Sequence, residues 1–187
     1  ANPQLPKVES MATRPMSPYA ASKLATETYT LAWGNSYDLD VLAFRFFNVY
    51  GPGQRAGHAY AAVIPAFLDS ALHDRPLQIH GDGSQTRDFT YIDTVCGVIH
   101  DALSRRVSSQ IPVNLALGTR TSVINLAEQI AELMGISVNI ETLPIRIGDV
   151  PHSSADSQQL LTLFPNVEVH SLEAGLTATL EWMRTRT

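Results

Sequence analysis

The spacing of apolar residues divides the chain into alternating helices and strands. Residues 1–16 mix proline with polar side chains and predict a loop. Ser17 is placed to cap a helix with Pro18 at its first position, running to about Tyr37. DVLAFRFF, Asp40 to Phe47, is a short apolar run between turn residues and predicts a buried strand. After the breaker GPGQ at 51–54, a second helix is expected over Tyr60 to His73, closed by Arg75 and Pro76. LQIHGDG predicts a short strand entering a glycine turn, Asp93 to Arg105 a helix, and PVNLALG (112–118) a strand. Thr121 or Ser122 caps a strongly periodic helix to Met134, Ser137 to Thr142 reads as a strand, and Ser171 caps a last helix ending near Arg184. Strands alternating with helices imply an α/β fold with a mainly parallel sheet.

Composition narrows the class. A chain of 187 residues forms one domain, or one and a part, and 44% apolar with 17% charged residues is ordinary for a globular protein. A net charge of −5 argues against a general nucleic-acid or membrane-surface binder. No apolar run approaches a membrane span, and the opening ANPQLPKVES lacks the apolar core of a signal peptide. Cys96 is the only cysteine, which excludes an internal disulfide and fits a reducing, cytoplasmic compartment. His58, His73, His80, His100, His152 and His170 share no metal-like spacing, so no metal site is expected. No glycine-rich turn of the GxGxxG kind joins a strand to a helix. An α/β nucleotide-binding fold that opens in a loop has lost its front, so the chain is expected to be the back portion of something larger.

The chemistry concentrates in a few stretches. SPYAASK (17–23) sets Tyr19 four residues ahead of Lys23, one of only two lysines, and a helix puts both on one face. A free phenol is a poor base at neutral pH, whereas a fixed positive charge beside it favours the phenolate, which can take a proton from a sugar hydroxyl. A core-edge tyrosine with an unrelated lysine is the plain alternative. RFFNVYGPGQ (45–54) puts Asn48 at the end of a strand, where open α/β sheets bind ligands, or where an asparagine simply forms a turn. GDGSQTRDFTYID (81–93) offers Arg87 beside Asp88, suited to bidentate phosphate binding or to a local salt bridge. PIRIGDVPHSSAD (144–156) offers Arg146 and Asp149 in a second such loop. Two arginines in separate glycine-containing loops suit a diphosphate.

Together these stretches resemble the extended short-chain dehydrogenase/reductase family, in particular its NAD-dependent nucleotide-sugar epimerases and dehydratases, over essentially the whole chain. The resemblance implies the back part of a Rossmann-like parallel sheet (1–48 and 85–120) and a small α/β substrate-binding subdomain (49–84 and 121–187). The NAD fingerprint, its acidic ribose contact and the catalytic serine or threonine all precede the YxxxK motif in the family and are absent here. Tyr19 and Lys23 match the catalytic pair and contact the cofactor. Phe47 falls near the nicotinamide, Asn48 on a substrate-diphosphate contact, and Val63 in YAAVIP on a backbone contact to substrate. Gln78, Ile79 and His80 match the strand on which the uracil rests, again through backbone. Arg87 and Arg146 match the diphosphate arginines, Asp149 a ribose contact, and Ser153 a position against the hexose, though Ser153 could equally serve only its own loop, where Ser154 or Asp156 could start a helix.

The implied activity is NAD-dependent 4-epimerisation of a UDP-hexose, UDP-N-acetylglucosamine or UDP-glucose, by a homodimeric parent protein. A nucleotide-sugar 4,6-dehydratase or decarboxylase is the sister reading. A truncated, non-catalytic sugar-nucleotide-binding remnant is the reading from another class. Without the phosphate-binding turn, these 187 residues alone are expected neither to retain NAD nor to epimerise.

Overall fold

The computed structural model describes residues 3–55, 62–146 and 150–186. Six helices are present among them: α1 (Pro18–Tyr37), α2 (Val63–Leu72), α3 (Ile92–Arg105), α4 (Val123–Met134), α5 (Gln158–Leu163) and α6 (Leu172–Arg184). Three start as their sequences direct. The Ser17, Ser122 and Ser171 hydroxyls each accept an amide from three residues ahead, satisfying one of the donors that a helix start leaves unpaired. Pro18 occupies the first position of α1, where its missing N–H costs nothing.

The strands are β1 (Phe44–Phe46), β2 (Val49–Tyr50), β3 (Leu77–His80), β4 (Thr86–Arg87), β5 (Thr90–Tyr91), β6 (Val113–Leu115), β7 (Thr121–Ser122) and β8 (Ile140–Leu143). β1 runs parallel to β6, β2 to β5 and β3 to β8, while β4 pairs antiparallel with β7. The α/β class and the parallel sense are therefore as the alternation predicted. The strand expected over Asp40 to Phe47 is confined to Phe44–Phe46, and Asn48 just beyond it has a φ of 27°, in the left-handed region. Asparagine tolerates that conformation because its short amide bonds locally. The Asn48 carbonyl accepts the Thr90 amide at 3.3 Å, which starts the β2–β5 pairing. The strand expected at 137–142 begins at Ile140, and part of the second expected helix, at 60–61, lies outside the described residues.

Two apolar cores form around these pairs. One is built from α2, α4, α6 and β3, with Phe67, Leu68, Leu77, Leu126, Ile130 and Leu176 buried within it. The other joins α3, β6 and α5 through Val98, Val113, Leu115, Leu160 and Phe164, with Phe44 of β1 against it. α1 buries only Gly34, which lies so close to Val41 that a Cβ there would overlap its side chain. α1 is also tied to β1 by charge: the Arg45 Nε and Nη2 donate to the two Glu27 oxygens at 2.7 and 2.8 Å. Arg45 Nη1 reaches the Glu9 carbonyl at 3.3 Å, so one guanidinium joins the N-terminal loop, helix and strand. The Glu27 hydrogen bonds hold the Arg45 pKa above its ordinary value.

Two expectations follow from this packing. Gly175 in α6 sits where a Cβ would overlap the Tyr50 and Tyr91 rings. Gly175→Ala gains about 1 kcal/mol of helix propensity but overpacks the core at about 1–3 kcal/mol. The urea midpoint should fall; a rise would mean that the rings move aside at little cost. Glu27→Gln removes the anion from Arg45 at constant shape. Amides in α1 should then exchange about tenfold faster, the scale of a charged hydrogen bond, while α4 is unchanged. Unaltered exchange in α1 would show that the pair does not hold the helix.

Candidate functional site

A cavity of about 270 Å³ opens beside β3. Its walls come from the strand break at Asn48, the start of α2 at Val63, Gln78 and His80 of β3, Arg87 of β4, and Arg146 beyond β8. The period-2 alternation of β3 explains the wall: Leu77 and Ile79 point into the core, so Gln78 and His80 take the other face. Tyr50, Phe67 and Phe89 supply an apolar part of the lining. Six of the positions singled out in the sequence thus share one cavity, although the segments that carry them span residues 48 to 146.

Gln78, His80, Asn48, Gln85 and Arg87 are each hydrogen-bonded within the protein. The Gln78 Nε2 donates to Glu141 Oε2 at 3.0 Å, across a registered β3–β8 pair. The Pro144 carbonyl lies 2.8 Å from His80 Nδ1, and a carbonyl can only accept, so Nδ1 carries the proton. The Asn48 Nδ2 donates to the Asp88 carbonyl at 3.1 Å. Arg87 Nη1 donates to the Thr86 carbonyl at 2.9 Å and reaches the Pro151 carbonyl at 3.4 Å. Gln85 was not singled out in the sequence, yet it also lines the cavity, its Nε2 donating to the His80 carbonyl at 2.9 Å. Its place in QTRDF, two residues before Arg87, was the available signal. Burial pushes the Tyr50 phenol far above its ordinary pKa, and its hydroxyl donates to the Leu172 carbonyl, so it cannot serve as a base.

The remaining positions lie apart from the cavity wall. Tyr19 and Lys23 share one exposed face of α1, with Lys23 Nζ 5.4 Å from the centre of the Tyr19 ring. The i, i+4 spacing therefore brings the ammonium against the Tyr19 ring. Phe47 is half-buried, its amide donating to the Leu115 carbonyl at 3.3 Å. The Ile79 side chain is in the core, which leaves only its backbone for a ligand. Ser153 is half-buried and its amide donates to the Thr86 carbonyl at 3.0 Å, next to Arg87. Ser154 is buried, and it is Asp156 that supports the entry to α5, accepting the Gln158 amide at 2.8 Å. Asp149 lies outside the described residues. Among the described residues, no cluster of His, Cys, Asp or Glu could hold a metal ion, and no helix is long and apolar enough to cross a membrane.

Behind the arginine wall lies Asp88, with no exposed surface. Its carboxylate accepts five hydrogen bonds: from the amides of Leu117, Gly118, Thr119 and Ala155 at 3.1 to 3.4 Å, and from the Thr119 hydroxyl at 2.9 Å. Burial pushes its pKa up, against the pull of those donors.

Comparison with known proteins places this geometry in a family. Residues 1–118 match the model of the NAD dependent epimerase/dehydratase family. The chain is 35% identical to a UDP-glucose 4-epimerase of Mycolicibacterium smegmatis, covering 98% of this chain and 58% of that protein. It is 33% identical to a UDP-N-acetyl-alpha-D-glucosaminuronate decarboxylase of Bacillus cytotoxicus, covering 89% of this chain and 53% of that one. A solved UDP-N-acetylglucosamine 4-epimerase from Methanobrevibacter ruminantium, in complex with UDP-N-acetylmuramic acid, superposes with a TM-score of 0.93 at 35% identity, over 100% of this chain and 59% of that structure. The chain thus spans little more than half the length of these relatives. It belongs to the NAD-dependent epimerase/dehydratase family of nucleotide-sugar enzymes.

Proposed function

We propose that this chain carries the substrate-binding and proton-transfer part of an NAD-dependent 4-epimerase acting on UDP-hexoses, with UDP-N-acetylglucosamine and UDP-glucose as substrates. The observation that carries the reading is that Arg87 and Arg146, from separate segments, line one cavity with Asn48. Two guanidinium forks and an amide suit a diphosphate, and the apolar lining with the exposed edge of β3 suits a base beside it. The core around α3 and β6 suits a nucleotide-fold remainder, with Leu160 and Phe164 packed into it, and the core around α2 and α4 suits a substrate subdomain, with Phe89 and Tyr91 packed into it.

The exposed Tyr19–Lys23 face fits the nicotinamide end of the cofactor, and Phe47 completes that end, whereas the sequence offers no glycine-rich turn for a pyrophosphate. NAD, when bound, supplies the hydride chemistry at the sugar C4. Tyr19, with Lys23 beside its ring, takes the proton of the 4-hydroxyl and later returns it. Arg87, Arg146 and Asn48 grip the diphosphate and leave the sugar free to turn and present its other face. Asp149 contacts the ribose. The backbone of Val63 and Ile79 and the wall at Gln78 and His80 orient sugar and base. Ser153 gates the C2 substituent: a serine leaves room that an aromatic ring, at about 150–250 Å² of surface, would fill. The parent acts as a homodimer. A decarboxylase or 4,6-dehydratase on the same scaffold is the second reading, favoured by the similarity to the Bacillus decarboxylase, and product analysis separates the three.

Calorimetry on the 187-residue chain should show UDP binding that Arg87→Ala and Arg146→Ala each weaken by about tenfold or more, the value of a charge-assisted pair. It should show no stoichiometric NAD binding. Undiminished UDP affinity in both variants would remove the diphosphate assignment. In a full-length protein, Tyr19→Phe should lower kcat by about 10²–10⁴ with UDP-sugar binding nearly intact. There, Ser153→Tyr should suppress turnover of acetylated sugars far more than of plain ones, read as kcat/KM on both pairs. Equal losses would reject the gate.

A further inference from the structure

We infer that Asp88 is a positioning residue for the phosphate end of this cavity: its buried carboxylate holds the strand of Arg87 against the loops at 117–119 and 155, without touching ligand itself. The inference rests on the reading of the cavity as a nucleotide-sugar site. Asp88 lies outside the cavity wall, between Arg87 and Phe89, which both line it. One of its oxygens, Oδ2, accepts the Gly118 and Ala155 amides, and the other accepts the Leu117 and Thr119 amides and the Thr119 hydroxyl. The carboxylate therefore joins two loops, at 117–119 and 155, to the strand segment that carries Arg87.

The second of those loops matters most. The segment 151–155 is laid along β4 rung by rung. The Thr86 amide donates to the Pro151 carbonyl at 2.9 Å, the Ser153 amide to the Thr86 carbonyl at 3.0 Å, and Ala155 closes on Asp88 at 3.2 Å. Arg87 Nη1 reaches the same Pro151 carbonyl. On the other side, the Asp88 carbonyl accepts the Asn48 amide. One residue thus fastens, from behind, the strand of Arg87, the segment 151–155 beside it, and Asn48.

Ionised Asp88 is acceptor-only and can take all five bonds. An asparagine would turn an NH2 group toward those donors and leave amides unpaired in a buried site. The test uses the 187-residue chain with UDP as probe, by calorimetry and by proton–nitrogen NMR. Asp88→Asn should weaken UDP binding about tenfold while the circular dichroism stays that of a folded protein. Thr119→Val, which removes one of the five bonds, should weaken it about two- to fivefold. Both should shift the Arg87 Nε–H and Asn48 side-chain amide resonances. The control is Thr179→Val, which deletes the buried bond from the Thr179 hydroxyl to the Gly175 carbonyl in α6 and should lower the Tm with UDP affinity unchanged. If Asp88→Asn folds and binds UDP as the wild type does, the inference falls. If Asp88→Asn does not fold, Thr119→Val decides: unmoved Arg87 and Asn48 resonances overturn it, and shifted ones support it. If the wild type itself fails to bind UDP, the nucleotide-sugar reading fails, while those same resonances still decide whether Asp88 positions the wall.

Discussion

A carboxylate with no exposed surface is tolerable only where donors replace the water it has lost, and where they do, it fixes every segment that supplies them. Asp88 meets that condition with four backbone amides and a hydroxyl from loops far along the chain. A chain of this size with short strands, several of only two residues, has few long ladders to set its loops. The buried charge does that work locally. Its neighbours divide the consequences: Arg87 faces the cavity, and Phe89 is buried in the larger core while also reaching the cavity lining.

The placement of the cavity follows from strand ends. Asn48 takes a left-handed conformation where β1 gives way to β2, and His80 is the last residue of β3 before a glycine turn. In open α/β sheets the carboxyl ends of strands are where backbone direction and loop reach create a crevice, so polar groups displayed there meet a ligand rather than a neighbouring strand. α1 contributes differently. Only Gly34 of it is fully buried, and its bidentate pair with Arg45 holds the helix that displays Tyr19 and Lys23.

What could be read from the sequence was local. Serine caps at 17, 122 and 171 are decided by contacts three residues away, and each helix starts where its cap predicts. The two-residue strands β2, β4, β5 and β7 were invisible because each exists only through a partner elsewhere in the chain. For the site, arginines in glycine-containing loops marked the residues but could not show that Arg87 and Arg146 share a cavity, since that depends on the β3–β8 register. Asp88 in the motif RDF suggested a local ion pair with Arg87. Its carboxylate is instead committed to distant amides, a role that no short window reveals.

The cavity beside β3 is proposed as a diphosphate and base site. A crystal structure of the chain soaked or grown with UDP tests it most directly. The account predicts the diphosphate between Arg87 and Arg146 with oxygens at about 2.7–3.2 Å from their guanidinium nitrogens, and the uracil against the backbone of residues 78–80. UDP bound elsewhere, or lying in the cavity with its phosphates turned away from both arginines, would contradict it.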